Sequence, residues 1–440
     1  MSSIFEKSTL KKTSANIGWL TLDKLIRMGG GLVISVLVAR YLGPDQFGLW
    51  SYALAIIAII GSISSLGLES VIVNEIVKSE QRKSKFLGSG FIIRLVSALV
   101  SYLSLFLIVY LLEPDNDILK YIVSILGLTF FFQAFDILDY FFQSQLQNKF
   151  TFYARNISFG IFSGIKILFI IGGYSLVYFA WAFAVEIMFA SLLLMVFYLK
   201  SGEHVKNWNI NKTSIAYLIK QGLPLMLSAI ITLLHLRIDQ VMLGQILGEK
   251  ELGVYSSAVK ISEVWYQIPM LIGMSFFPSI IKSRGVNKDT YFNNLKYLYS
   301  IIIWASIAFS IVVTFTATPI INIVYGVDYA AAAPVLSIYV WGGVLIAPSS
   351  VSNRHYVIER KTKYAFFKGA LGLVINISLN LVLIKKYGSL GAAYSTLVSY
   401  LVMGSIGDLL FDRKLFNLQL KSFFAISHAY NLIKARRKFS

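Results

Sequence analysis

Long apolar runs, separated by short polar breaks, make up most of the chain. A helix that crosses a bilayer needs about 20 mainly apolar residues, and twelve runs approach or exceed that length. The first six lie at roughly 14 to 39, 46 to 72, 87 to 112, 118 to 142, 151 to 171 and 174 to 199. The second six lie at roughly 214 to 236, 252 to 281, 294 to 318, 331 to 351, 364 to 384 and 389 to 411. The pattern predicts an all-α integral membrane protein with about twelve transmembrane helices.

A polar segment halfway along the chain divides these runs into two equal sets. We expect an N-terminal six-helix bundle at 1–199, a cytoplasmic linker at 200–213 and a C-terminal six-helix bundle at 214–411. The remainder, 412–440, combines basic residues with apolar residues at near-helical spacing. This spacing is typical of an amphipathic helix at a membrane surface, with a disordered basic tail as the alternative. Membrane lipid is the expected partner of this tail.

A short glycine pattern occurs once in each half of the chain. Leu-Gly, four residues, Gly, two residues and Ser occupy 42–51, and the same pattern returns 205 residues later at 247–256. Two related halves in a many-helix membrane protein are typical of transporters, whose substrate site lies between the repeats. The repeat therefore predicts two pseudo-symmetric bundles and favours transport as the function.

Composition and charge placement support this interpretation. The chain is 56% hydrophobic and 14% charged and carries a net charge of +18. About 27 Lys and Arg residues fall on one side of the predicted helices and about 4 on the other, and basic residues stay preferentially in the cytoplasm. Both termini are therefore expected in the cytoplasm, and the basic excess is not expected to bind nucleic acid. The absence of cysteine excludes disulfides, thiolate metal sites and a cysteine nucleophile.

Charged residues inside the apolar runs are the candidate functional residues, because a charge within the bilayer is costly and usually faces a cavity or another charge. The deepest basic residues are Lys24, Arg27, Arg94, Lys166 and Lys260. The deepest acidic residues are Asp23, Glu186 and Glu263. Five cations against three anions predict a cavity of positive potential that suits an anionic cargo. Counted over all runs, however, basic and acidic residues are nearly equal in number.

Helical spacing leaves a purely structural role open for two pairs of these charges. Asp23 and Arg27 are four residues apart, and Lys260 and Glu263 are three apart. Each pair is positioned to form an ion pair on one helical face. Binding of cargo or of a coupling ion is the alternative for both pairs.

Three cations have no opposite charge three or four residues away, namely Lys24, Arg94 and Lys166. We regard them as the stronger candidates for contact with cargo. His235 and Asp239 are four apart near a helix end, where a local hydrogen bond and a proton relay are both open. Asp239 is accordingly a further candidate for ion coupling.

Glycine and proline within the runs are candidate hinges. Gly29, Gly30 and Gly31 fall in the first run, and Pro269 falls in the eighth. Such residues permit bending or interrupt helical hydrogen bonding. Close packing against neighbouring helices is the alternative for the glycines.

Several motifs together resemble those of polysaccharide-biosynthesis flippases. They are 23–27 (DKLIR), 39–44 (ARYLGP) with 47–48 (FG), 237–240 (RIDQ) with 243–244 (LG), 252–255 (LGVY), and the helix with Lys260, Glu263, Pro269 and Pro278. In their order and spacing they are similar to the Wzx-type O-antigen flippases. These belong to the multidrug/oligosaccharidyl-lipid/polysaccharide (MOP) exporter superfamily, which also contains the multidrug and toxin extrusion (MATE) antiporters.

The resemblance implies a MATE-like, V-shaped, alternating-access carrier in the bacterial inner membrane. Its implied cargo is an undecaprenyl-pyrophosphate oligosaccharide, such as an O-antigen or capsule repeat unit, which crosses through a cation-lined cavity. Coupling to an H⁺ or Na⁺ gradient is implied as well. Polysaccharide polymerase and chain-length proteins are implied neighbours.

Two other functions fit the helices less well. A MATE-like drug or cation extruder should carry acidic residues without the deep cation excess. A membrane-embedded polymerase or ligase should carry a sizeable outer loop, and no predicted outer turn exceeds about a dozen residues. The sequence also has no phosphate-binding glycine loop and no paired motif of metal or nucleophilic chemistry. We therefore expect a transporter with no cofactor rather than an enzyme.

Overall fold

A computed structural model describes residues 2–424 and, within them, every side chain except those of 2–15, 17, 270, 274, 275, 277–279 and 286. All regular secondary structure in this part of the chain is helical, which confirms the all-α prediction. Ten of its segments are long and apolar enough to cross a membrane. One of them, Gly18–Lys78, contains both of the first two predicted runs. The predicted tail beyond residue 424 lies outside the described residues.

Seventeen α-helices occur within the described residues. The first nine are α1 (Ser2–Ser65), α2 (Leu68–Lys78), α3 (Lys83–Leu112), α4 (Asp117–Gly127), α5 (Thr129–Phe132), α6 (Asp136–Ser144), α7 (Lys149–Ile171), α8 (Leu176–Lys200) and α9 (Lys212–Leu247). The others are α10 (Glu249–Val286), α11 (Lys288–Val324), α12 (Ala332–Tyr339), α13 (Gly342–Ile358), α14 (Thr362–Tyr387), α15 (Ser389–Leu401), α16 (Gly407–Phe411) and α17 (Arg413–Phe423). A 3₁₀ turn at Gln133–Phe135 joins α5 to α6.

Contacts between residues divide the chain into two compact units. Unit 1 comprises Met1–Leu42 and Leu49–Arg237, and unit 2 comprises Gly43–Gly48 and Ile238–Ser440. The core of unit 1 includes buried side chains of α2, α3, α6, α7 and α8. The core of unit 2 includes buried side chains of α10, α11, α13 and α17. Each core is built from apolar residues on the inner faces of its helices, whereas many outward-facing positions are also apolar, as lipid requires.

The repeated glycines have matching backbone geometry. Gly43 breaks α1 with φ 71° and ψ 171°, and Gly248 precedes α10 with φ 85° and ψ −177°; such positive φ values favour glycine. Within unit 2, the segments after these breaks pack directly on each other. A Cβ atom added to Gly48 or to Gly253 would overlap a backbone carbonyl of the other copy. The repeat therefore marks a reciprocal close contact between the two segments.

The described part of the predicted tail is helical. In α17, Leu415, Gln419 and Ser422 are buried against unit 2, whereas Leu420 and Phe423 are exposed. The Asp412 side chain accepts a hydrogen bond from the Leu415 backbone N–H and thereby caps the helix. One face of α17 thus belongs to the core of unit 2.

Candidate functional site

Two adjoining cavities in unit 1 contain most of its interior charges. The first cavity has a volume of about 200 Å³ and is lined by Trp19, Leu20, Asp23, Glu69, Asp136, Asp139, Tyr140, Gln143, Asn148, Thr151, Phe152 and Arg155. The second has a volume of about 260 Å³ and is lined by Arg27, Gln133, Asp136, Arg155, Ser158, Glu186, Ile187, Ala190, Ser191 and Leu194. Because Asp136 and Arg155 line both, the two cavities meet at this pair. Along α1 and α7 the second cavity lies farther from the turn that joins α6 to α7.

Arg155 is the central cation of this site. Its guanidinium lies 3.0 Å from a carboxylate oxygen of Asp139 and 3.9 Å from one of Asp136. The Thr151 hydroxyl donates a second hydrogen bond to Asp139 at 2.6 Å. The Arg155 side chain keeps 30% of its surface exposed, so it faces the cavities while its carboxylate partners hold it in place.

Arg94, a predicted cavity cation, is buried and paired. Its side chain is 2% exposed and lies 3.0 Å from an Asp136 oxygen. It also donates hydrogen bonds to the backbone carbonyls of Ser64, at 3.1 Å, and Gln133. Arg94 therefore connects α3 to α1 and to the α5–α6 junction, and it lines neither cavity.

Lys166 is also paired across helices. Its ammonium group lies 2.6 Å from a carboxylate oxygen of Glu186, which joins α7 to α8. The same ammonium lies 5.8 Å from the centre of the Phe183 ring. Glu186 lines the second cavity, so Lys166 balances a carboxylate at the wall of that cavity.

The two charges of the predicted pair in α1 have different surroundings. Asp23 lines the first cavity and accepts a hydrogen bond from the Asn156 side chain at 2.7 Å. Arg27 lines the second cavity. Lys24 is half-buried in α1 and lines neither cavity.

Positive charge collects at the second cavity and negative charge at the first. The two carboxylates of the second cavity, Asp136 and Glu186, each have a cation behind them, Arg94 and Lys166 respectively. The guanidinium of Arg27 comes in addition to these pairs, whereas that of Arg155 also binds Asp139. At the first cavity, four carboxylates face the single guanidinium of Arg155. The interior of unit 1 is therefore polarised along its length.

A second polar cluster lies in unit 2 around Asp239. This carboxylate is 2% exposed and accepts hydrogen bonds from the hydroxyls of Tyr255 and, at 3.4 Å, Thr396. Asn376 donates to Thr396 at 3.5 Å, and Asn380 donates to Asn376 at 3.1 Å. Among the described residues, the buried Oδ1 atom of Asn380 has no hydrogen-bond partner. Hydrogen bonds therefore link several side chains whose oxygen atoms are of the kind that bind hard cations.

Unit 2 also contains a fully buried ion pair that the sequence did not predict. Lys368 and Asp408 are 2% and 0% exposed and bond directly. Tyr356, Ser352 and Gln419 donate further hydrogen bonds to the same carboxylate. A carboxylate from α16 therefore binds the Lys368 ammonium inside the protein.

The remaining predicted residues lie in α1 and α10. Lys260 and Glu263 are both half-buried in α10. A Cβ on Gly30 would lie 2.8 Å from the Phe159 ring, as expected for close packing, whereas Gly29 and Gly31 have open space around them. Pro269 is buried in α10. A hinge role for the three glycines and for Pro269 stays a prediction, as does the ion pair or binding role of Lys260 and Glu263.

The sequence signal for Arg155 was present. The residue falls five positions into the predicted run that starts at 151, yet its charge is equally typical of a cytoplasmic loop. Its carboxylate partners belong to the preceding helix, so helical spacing alone does not pair them. A guanidinium placed more than one turn inside a predicted span was the signal to follow.

A profile of the family described as "Polysaccharide biosynthesis protein" matches residues 13–284. The chain belongs to the polysaccharide biosynthesis protein family. A second profile, described as MatE, matches residues 224–382. The family predicted from the motifs is therefore confirmed.

Relatives with a curated description extend this result. The probable lipid II flippase MurJ of Thermotoga maritima is 26% identical over 178 residues, which cover 38% of this chain and 37% of that protein. The chain thus matches little more than a third of that relative's length. The capsular polysaccharide biosynthesis protein CapF of Staphylococcus aureus is 22% identical over 414 residues, which cover 88% of this chain and 96% of that protein.

Solved structures share the fold. A lipid II flippase MurJ in an inward closed conformation superposes with a TM-score of 0.73 at 18% identity, over 94% of this chain and 92% of that one. An inward-facing MATE-family multidrug transporter of the MOP superfamily also superposes with a TM-score of 0.73, at 14% identity over 92% of this chain and 99% of that one. The chain shares its fold with both structures, which confirms the predicted MATE-like architecture. Ten apolar helices among the described residues indicate a multi-pass membrane protein, and the two superposed structures are those of a flippase and a transporter.

Proposed function

We propose that this protein moves a lipid-linked saccharide with a pyrophosphate group from one leaflet of the membrane to the other. The observation that carries the proposal is the second cavity of unit 1. There, the guanidinium of Arg27 adds positive charge to two carboxylates that already have their own cations, and Arg155, which also binds Asp139, lines the same cavity. Family membership gives this anion-binding cavity its context in polysaccharide biosynthesis.

The chemistry of the cavity suits a pyrophosphate. Guanidinium groups bind phosphate oxygens through paired, charge-assisted hydrogen bonds. The hydroxyl of Ser158 is buried at the same wall and has no hydrogen-bond partner among the described residues. Moving an isolated charge from water into hydrocarbon costs on the order of tens of kcal/mol. A cavity that replaces the water of the phosphates removes most of that barrier, and no covalent bond has to break.

The proposed cargo is undecaprenyl-pyrophosphate oligosaccharide, an O-antigen or capsule repeat unit. The proposed location is the bacterial inner membrane with both termini in the cytoplasm, because that orientation places most basic connections inside. Transfer then runs from the inner to the outer leaflet. Polysaccharide polymerase and chain-length proteins are the proposed neighbours that use the product.

The membrane potential and an ion gradient supply the proposed driving force. One charge that crosses 100 mV gains about 2.3 kcal/mol, so a cargo of charge near −2 that leaves an inside-negative cell gains roughly 4 to 5 kcal/mol. Asp239 is the proposed site for a coupling H⁺ or Na⁺. Its buried carboxylate, the hydroxyl of Thr396 bonded to it, and the hydrogen-bond chain from Thr396 to the unpartnered oxygen of Asn380 are the supporting observations.

A cation extruder is the second candidate, since the first cavity offers four carboxylates against one guanidinium. The MatE match over 224–382 adds to it. It would use the acidic cavity to bind an organic cation. The flippase ranks first because it also accounts for the positive second cavity and for the family assignment.

The test is transfer of undecaprenyl-pyrophosphate oligosaccharide in proteoliposomes, with Arg27→Ala and Arg155→Ala beside the parent. Arg40→Ala is the matched control, because Arg40 is exposed and lines neither cavity. We expect transfer by the parent and the control and loss of at least tenfold in both cavity variants. Undiminished transfer by folded Arg27→Ala and Arg155→Ala protein would contradict the proposed pyrophosphate site.

A further inference from the structure

The first cavity has the side chains of a saccharide site. Trp19 and Phe152 form one wall, with ring centroids 4.9 Å apart. Amide groups of Gln143 and Asn148 and the carboxylate of Glu69 line the same space. Sugar hydroxyls donate to carboxylate and amide oxygens, and the apolar face of a sugar ring packs on aromatic rings. The aromatic wall provides a surface for the ring to pack on, and the amide and carboxylate oxygens provide acceptors for the hydroxyls.

One residue that lines this cavity has a buried polar atom without a partner among the described residues. Asn148 is 2% exposed, and its backbone N–H donates to the Asn16 side chain at 2.9 Å, which holds the residue in place. Its side-chain Oδ1 is buried and has no hydrogen-bond partner among the described residues. Buried carbonyl oxygens are rarely left unpaired, since desolvation without a hydrogen bond is unfavourable. A hydroxyl or amide of a ligand would supply the missing donor.

The volume of the cavity limits what it can hold. Pockets for drug-sized ligands measure roughly 300–1,000 Å³, whereas this one measures about 200 Å³. It therefore accommodates a single sugar ring rather than an oligosaccharide. The rest of a longer saccharide would extend out of this cavity.

The charges of the first cavity select among sugars. Asp23 and Glu69 have neutral amides as their recorded hydrogen-bond partners, Asn156 at 2.7 Å and Gln143 at 3.0 Å. The one guanidinium that lines this cavity, that of Arg155, is outnumbered by four carboxylates. A sugar with its own carboxylate would therefore meet like charge, which is unfavourable. Neutral sugars, and sugars with an amine, would not.

The position of the cavity fits the covalent order of a lipid-linked saccharide. The first cavity meets the second at Asp136 and Arg155. In the cargo, the first sugar is bonded directly to the pyrophosphate. A pyrophosphate held by Arg27 and Arg155 in the second cavity therefore places that first sugar at the entrance to the first cavity.

We propose that the first cavity binds the sugar ring next to the pyrophosphate, and that it accepts a neutral or amine-bearing ring and rejects an acidic one. The juxtaposition of Trp19, Glu69 and the unpaired Asn148 oxygen beside the phosphate-binding guanidiniums carries this proposal. It rests on the proposed function, because it needs a pyrophosphate in the second cavity. It adds a specificity site for the saccharide.

Binding to the full chain in lipid nanodiscs tests this proposal. The three probes are undecaprenyl pyrophosphate alone, the same lipid with one N-acetylglucosamine, and the same lipid with one glucuronic acid. For the parent we expect the N-acetylglucosamine lipid to bind at least fivefold more tightly than the lipid without sugar. The glucuronic acid lipid should bind no more tightly than the lipid without sugar.

Two variants remove the sugar contacts and leave the phosphate site intact. Trp19→Ala and Glu69→Gln should reduce the gain from N-acetylglucosamine to less than twofold, with the Kd of the sugar-free lipid unchanged. Glu69→Gln should also improve binding of the glucuronic acid lipid. Trp181→Ala is the matched control, since Trp181 is 43% exposed and lines neither cavity. Unchanged binding of the sugar-free lipid also shows that each variant is folded.

The outcomes separate this proposal from the proposed function. If the parent binds the sugar-free lipid but gains nothing from N-acetylglucosamine, or gains as much from glucuronic acid, the saccharide site is overturned. The same conclusion follows if Trp19→Ala and Glu69→Gln both keep the full gain in affinity from N-acetylglucosamine. If the folded parent binds none of the three lipids, the proposed function itself fails.

Discussion

Replacement of Arg94 by methionine should destabilise the protein rather than block transport selectively. The guanidinium is 2% exposed and has three recorded acceptors, namely Asp136, at 3.0 Å, and the backbone carbonyls of Ser64 and Gln133. Methionine fills much of the space but leaves the carboxylate without its buried cation. Removal of one partner from a buried ion pair costs about 3–5 kcal/mol.

This loss should be visible in thermal unfolding. For a unit of this size, 1 kcal/mol moves Tm by about 2–4 °C, so Arg94→Met should lower Tm by about 6–20 °C. Tryptophan fluorescence during heating in detergent measures the change, since the chain contains seven tryptophans. Arg155→Met is the comparison, because Arg155 is 30% exposed and lines both cavities. It should lose transfer with a smaller change in Tm, because Asp139 keeps its hydrogen bonds from Thr151 and Gln143.

The two variants should therefore differ in transfer per folded molecule. Arg94→Met protein that remains folded at low temperature should retain most of its transfer, and Arg94→Lys should fall between parent and Met variant in Tm. An unchanged Tm together with loss of transfer in Arg94→Met would refute this reasoning. That result would make Arg94 a cargo-binding cation, as its position in the sequence first indicated.

Three further predictions concern unit 2. Lys368→Met should lower Tm, and addition of Asp408→Asn should recover most of the loss because no unpaired buried charge remains; additive losses would contradict the ion pair. Gly253→Ala should cost about 1–3 kcal/mol through overlap with a backbone carbonyl, whereas Gly285→Ala, in open space in the same helix, should leave Tm nearly unchanged. Asp239→Asn should abolish the response of transfer to an imposed ion gradient while transfer driven by the membrane potential persists; an undiminished response would exclude Asp239 as the coupling site.

Sequence patterns predicted the fold well because the bilayer acts on the chain locally. Each span needs its own apolar residues, so the helices can be read from the sequence one at a time. The recurrence of the glycine pattern at 42–51 and 247–256 also required no knowledge of contacts. Its backbone consequence, the positive φ at Gly43 and Gly248, follows from glycine chemistry alone.

The candidate site was harder to predict because its partners come from different helices. Arg94 and Asp136 are 42 residues apart, and Lys166 and Glu186 are 20 apart. Helical spacing compares only neighbours three or four residues away, so both cations looked unpaired. The excess of cations counted along the chain therefore did not reveal that the cavities separate charge, positive at one and negative at the other.

Arg155 illustrates the opposite error. Basic residues near the end of a span usually determine topology, and Arg155 is one of the about 27 basic residues that fall on the predicted cytoplasmic side. Only the packing of α7 against α6 brings it to Asp136 and Asp139. The importance of such a residue depends on tertiary contacts that a single sequence does not encode locally.

The most direct test of the account compares two cargoes in the same proteoliposomes. One preparation of the parent protein is given undecaprenyl-pyrophosphate oligosaccharide in the inner leaflet, and a second is loaded with an organic drug cation. The account predicts transfer of the lipid-linked saccharide, accelerated by a potential that drives negative charge outward, and no efflux of the cation above empty liposomes. Efflux of the cation by folded protein that leaves the glycolipid in place would contradict the account and favour the extruder.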